Sequence, residues 1–215
     1  QARLSFDGTF GKGASRIRGD LSGRGLRYGQ LFLGRIAAHA ELADGRGKLS
    51  ASVIGRQVER FSLQVDSDIA PGRIAAIVRG NYAGTPISMP RRAVFNRSSD
   101  AGWRLAPAEL RVGEGQAGIS GEFGGARTAL ELKLSKIPLS LGDLVVRDLG
   151  LGGTASGIVA YSDQPGRAPS ADVRVRFQGL TRSGLLLASR PVDLSLVGRL
   201  GSDELEARAA FTVAE

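Results

Sequence analysis

The stretch Thr128-Ala129-Leu130-Glu131-Leu132-Lys133-Leu134-Ser135-Lys136 decides the fold class. Leu130, Leu132 and Leu134 alternate with Glu131, Lys133 and Ser135, and a period of two puts successive side chains on opposite faces of a β-strand. The alternation recurs at 172–178, where Val173, Val175 and Phe177 are set against Arg174 and Arg176. It runs again through Phe61, Leu63 and Val65 against Ser62, Gln64 and Asp66. A fourth copy has Leu205, Ala207, Ala209, Phe211 and Val213 against Glu206 and Arg208. Each segment has one greasy face and one wet face.

Weaker copies extend the pattern outward: Leu4, Phe6, Phe10; Leu31, Leu33; Ile36, Ala38, Ala40, Leu42; Leu49, Ala51, Val53; Ile74, Ala76, Val78; and Val192, Leu194, Leu196. Between them lie turn clusters at 43–47, 70–72, 97–100, 113–115 and 198–201, rich in Gly, Pro, Asp and Ser. Strand, short polar turn, strand is the rhythm of an antiparallel meander. One helix is expected near 139–149, where Leu141, Leu144, Val145 and Leu149 approach helical spacing after Pro138. One short helix among so many strands makes the chain all-β. Gly34, Gly80 and Gly157, inside strand patterns, predict bulges or bends that let a sheet curl. The best candidate for a boundary is 83–90, interrupted by Gly84, Pro86 and Pro90; otherwise 1–215 reads as a single elongated segment.

Composition narrows the function. The 215 residues carry 31 glycines, 42% apolar and 6% aromatic residues, which is a folding composition. No apolar run approaches the roughly 18 to 20 residues that cross a bilayer, and 1–10 lacks the charged and apolar regions of a signal peptide. The first residue is not Met and strand alternation begins at once, so the chain reads as an internal piece of a longer protein. There is no cysteine, which removes disulfides, thiolate metal sites and a thiol nucleophile. The net charge is +8, with Lys12, Lys48, Lys133 and Lys136 the only lysines among 29 basic residues. An arginine bias follows from a GC-rich genome as readily as from a binding site. The arginines are spaced through the chain without interleaved aromatic platforms, so nucleic acid is not the expected partner.

The side chains of catalysis are sparse. His39 is the single histidine, on the face opposite Ala38, Ala40 and Leu42, and no partner at defined spacing accompanies it. The acidic pairs Asp66 with Asp68 and Asp203 with Glu204 sit at strand ends or turns, where acids serve solubility. No phosphate-binding Gly-x-x-x-x-Gly-Lys-Ser/Thr loop occurs. The expectation is a non-enzyme without cofactor or metal.

A sheet with one apolar face must cover it with a second sheet, with helices or with a ligand. Helices are nearly missing, and the inward candidates are mainly Leu, Val, Ile and Ala. The pattern alone leaves a sandwich or barrel and a curled open sheet both standing.

Several short motifs fall in a characteristic order: Trp103-Arg104-Leu105, Leu110-Arg111-Val112-Gly113, Gly118-Ile119-Ser120-Gly121-Glu122-Phe123 and Leu130-Glu131-Leu132-Lys133-Leu134. They are followed by Pro138-Leu139-Ser140-Leu141, Leu149-Gly150-Leu151-Gly152-Gly153-Thr154-Ala155-Ser156-Gly157, Pro169 ahead of the Val173 strand, and Gly179-Leu180. Through them residues 103–180 resemble the TamB family of the translocation and assembly module, within the AsmA-like superfamily of bridge-like lipid-transfer proteins. The remainder matches only as generic alternating strands. The resemblance implies a long, mainly antiparallel sheet curled lengthwise into an apolar-lined half-pipe, a β-taco. It also implies a periplasmic location in a protein anchored in the inner membrane, and phospholipid acyl chains in the groove, supporting outer-membrane biogenesis and protein assembly. A TamA-like outer-membrane assembly barrel is the implied partner. Neither the family's membrane anchor nor its conserved C-terminal end is seen, so an internal portion is expected. The lining would comprise Phe61, Leu63, Val65, Ile119, Phe123, Leu130, Leu132, Leu134, Val173, Val175 and Phe177. The same residues would serve equally as ordinary core. The alternative is a non-catalytic protein-binding or adhesive β domain of a cell-surface protein. A third reading, a carbohydrate-acting β-helix, would need shorter strands on a regular repeat and clustered acids.

Overall fold

A computed structural model describes residues 1–11, 14–29, 31–57, 59–144, 149–182, 190–201 and 205–213. Expectations placed on Lys12, Val145, Asp203 and Glu204 lie outside the described residues, as do the side chains of Phe10, Leu144, Leu205, Ala207, Phe211 and Val213. The described chain is all-β, with fifteen strands and one 3-10 helix, and it divides into two compact units, Gln1–Asn96 and Arg97–Glu215.

In the first unit β1 (Ala2–Gly11), β2 (Ala14–Tyr28), β3 (Leu31–Ala43), β4 (Arg46–Arg56), β5 (Arg60–Ala70), β6 (Arg73–Tyr82) and β7 (Thr85–Ser88) pair antiparallel in chain order. A further strand, β8 (Ala93–Arg97), also pairs with β6. Tight turns set this order. Asp44 and Gly45 carry φ of 52° and 72°, and Ala83 and Gly84 carry 51° and 83°. Two successive residues at positive φ give the turn whose twist suits a two-residue hairpin. Residues 83–90 hold the second of these turns and β7.

In the second unit the order is β9 (Trp103–Val112), β10 (Gly115–Phe123), β11 (Thr128–Pro138), β12 (Leu151–Asp163), β13 (Ser170–Arg182), β14 (Val192–Leu200) and β15 (Leu205–Val213), again antiparallel neighbour to neighbour. The turn cluster expected at 198–201 begins later than the pattern indicated, because Gly198, Arg199 and Leu200 still pair within β13–β14–β15.

The helix expected at 139–149 is a six-residue 3-10 helix, Leu139–Leu144. Gly142 and Asp143 lie within it, and the Asp143 carboxylate accepts the Gly150 N–H at 3.0 Å. Of the three strand glycines, Gly34 sits at a register shift between β3 and β4. Gly157, in step with Val175 on β13, pairs with Leu134 at the edge of a register shift between Leu134 and Ile137 of β11, whereas Gly80 carries no register shift and pairs in step with Leu63. At Gly80 an added Cβ would run into the Ser62 carbonyl oxygen of β5, with the Leu63 Cδ2 a further neighbour at 2.9 Å.

Candidate functional site: the apolar sheet faces

Residues paired directly across an antiparallel ladder share a face, so the register shows what each face carries. In the first unit one row runs Leu4, Leu21, Ala38, Ala51, Val65, Val78 from β1 to β6. The next runs Ala2, Gly23, Ile36, Val53, Leu63, Gly80, Ile87 and reaches β7. Phe61 lies on the same face, between Gly55 and Tyr82.

The second unit repeats the arrangement. Leu110, Ala117, Leu134, Gly157, Val175, Leu196 and Ala209 form one row across β9 to β15. Ala108, Ile119, Leu132, Val159 and Val173 form its neighbour. Leu130 pairs with Gly121 and Tyr161, Phe123 with Trp103, and Phe177 with Ala155 and Leu194. Every lining candidate therefore lies on the apolar face of its own unit, three in the first and eight in the second.

The reverse faces are ionic. In the first unit Arg79 meets Asp66 at 3.2 Å, Arg92 meets Asp68 at 3.4 Å and Arg18 meets Glu41 at 3.5 Å. In the second, Arg104 meets Glu122 and Lys133 meets Glu131, both at 2.7 Å, and Arg199 meets Asp172 at 3.2 Å. Exposed pairs of this kind stabilise by about 0.2 to 1 kcal/mol each; their main information is that this side faces water. His39 belongs to it, and its Nδ1 donates to Asp20 at 2.7 Å while Nε2 stands 3.5 Å from Glu41. The His39 hydrogen bond is the chief reason that the Asp20 carboxyl titrates below its ordinary 3.8. Asp66 and Asp68 each take a different arginine. Among the described residues no group of three or more His, Cys, Asp or Glu is placed to hold a metal ion.

The apolar faces are incompletely covered. Val175 is the one lining candidate that is buried; Ile119 is 40% exposed, and the other nine are half-buried. In β1, Leu4 is 72% and Phe6 66% exposed. Buried apolar side chains among the described residues are few: Tyr82, Ile87 and Ala93 on the first unit's apolar face, with Ala75 behind it, and Leu105, Ala108, Val112, Ala155 and Val175 on the second's. Chemically, such a face offers a continuous strip for methylene and methyl groups. No helix among the described residues is long and apolar enough to cross a membrane.

Comparison with family models, with curated proteins and with solved structures finds no match to this chain.

Proposed function

We propose that this chain is a segment of a TamB-like lipid conduit, a periplasmic β-groove of the bridge-like lipid-transfer type whose apolar face shelters phospholipid acyl chains. The observation that carries the proposal is the pair of apolar rows that cross each unit while remaining largely half-buried. Monomeric soluble proteins rarely leave contiguous apolar patches of more than a few hundred Å², and a larger one marks an interaction surface. Burial is worth about 0.8 kcal/mol per methylene, so an acyl chain of about a dozen methylenes laid along such a face gains several kcal/mol even when half of it stays in water. Small residues within the rows, such as Ala38, Ala51, Ala117 and Gly157, keep the strip low enough for a chain to lie on it. The ion pairs of the reverse faces offer nothing to methylene groups, which directs acyl chains in transit to the apolar side. In this reading no covalent step occurs and no cofactor is required.

A phospholipid carrying a photoreactive acyl chain tests the reading. Irradiation is expected to label strands at Leu63, Leu132 and Val173 and to spare their reverse-face neighbours Gln64, Lys133 and Arg174, read by peptide mass mapping. Equal labelling of both sets, or none, would favour a non-catalytic protein-binding β domain instead.

A further inference from the structure

The arginines that look evenly scattered in the sequence are not scattered on the sheet. At one end of the first unit, Arg24 on β2 stands directly opposite Arg35 on β3, and Arg56 on β4 directly opposite Arg60 on β5. Arg27 on β2 pairs with Phe32 on β3, which in turn pairs with Arg56. The register shift at Gly34, faced by Gly25 at φ 64°, resets the alternation, so that Arg24 and Arg27, three residues apart, share the reverse face. All five arginines are exposed, and among the described residues none of them forms an ion pair. Like charges directly opposite each other destabilise a sheet, so the arrangement does nothing for the fold. Two exposed apolar side chains lie within it, Ile54 at 52% and Phe32 at 37% exposure, whereas the face's other large apolar side chains, Ile77 and Val94, are half-buried.

From this juxtaposition we infer that the arginine-ringed patch around Phe32 and Ile54, on the reverse of the apolar face, docks on a membrane surface rich in anionic phospholipid. Charge complementarity selects the occupant: guanidinium groups fork onto phosphate oxygens, and basic residues are drawn to the negative potential of an anionic leaflet. The apolar centre separates this surface from a site for free phosphate, because Phe32 and Ile54 would enter the boundary between headgroups and acyl chains. Single-stranded nucleic acid fits less well. It needs an open aromatic face for base stacking, and the Arg27 guanidinium already lies over the Phe32 ring, 6.0 Å from its centroid. The inference is independent of acyl chains in the groove, since it concerns the opposite face.

Co-sedimentation of the 215-residue chain with vesicles tests it, comparing phosphatidylcholine alone with phosphatidylcholine containing phosphatidylglycerol, at low and high salt. Binding is expected only to the anionic vesicles and is expected to fall with salt. The double variant Arg56→Gln/Arg60→Gln should weaken it by about 20-fold, and Phe32→Ser should weaken it at unchanged charge. Arg16→Gln/Arg46→Gln, which removes the same charge from the other end of the unit, should bind as wild type. Because the first double variant removes a repulsive pair, its melting temperature should not drop. Failure to bind anionic vesicles, equal loss in both double variants, or tighter binding of a single-stranded oligonucleotide than of vesicles would overturn the inference.

Discussion

Leu132→Arg is expected to strip bound phospholipid from the chain, lowering the lipid recovered by solvent extraction by about tenfold or more, while the sheet stays folded. Leu132 sits mid-row between Ile119 and Val159 and is half-buried. An acyl chain over this position would have to bury a guanidinium without a counter-ion, which costs several kcal/mol, and each 1.4 kcal/mol is a tenfold loss of affinity. Folding should suffer much less. With one side open, the arginine can lay its methylenes along the strip and hold its charged end in water, so the cost to stability is about 1 to 2 kcal/mol. Far-ultraviolet circular dichroism and a urea titration separate the two effects. Wholesale unfolding would mean that Leu132 lies in a closed core.

Gly157→Val should have the largest effect on stability, about 3 to 5 kcal/mol, enough to unfold much of a domain whose total is about 5 to 15. Gly157 holds a φ of 152°, which a β-branched residue adopts only with strain. A Cβ there would also run into the Arg174 carbonyl oxygen of β13. The position is central, between Leu134 and Val175 in a row that crosses the whole second unit. Gly118→Ala is the control. The nearest atom to its added methyl would be the Lys133 Cβ at 3.7 Å, ordinary contact, so its urea midpoint should match wild type. Similar losses in both variants would refute the close-approach explanation for Gly157.

The strands and their greasy faces were legible because strand periodicity is local: Leu130, Leu132 and Leu134 alternate within nine residues and need no partner to be read. Register is not local. Arg24 and Arg35, or Asp20 and His39, meet only because the β2–β3 hairpin closes where it does, so neither the basic patch nor the His39 hydrogen bond leaves a mark in the linear sequence. The demand for glycine at Gly80 and Gly157 is set in the same non-local way, by the neighbouring strand's carbonyl oxygens at Ser62 and Arg174, which an added Cβ would strike. The helix type was not legible either: Leu141 and Leu149 have α-helical spacing, while Leu139–Leu144 is a 3-10 helix whose Asp143 accepts the Gly150 N–H. Arg92 illustrates a further limit: it reaches from the segment after β7 to the carbonyl oxygens of Asp66 and Ala75, a long-range contact that composition does not foreshadow.

Native mass spectrometry of the wild-type chain, purified from a host with a cell envelope and followed by lipid extraction, tests the central claim most directly. The account predicts mass shifts that correspond to phospholipid and disappear in Leu132→Arg. A stable, monodisperse wild-type chain with no lipid bound would contradict it.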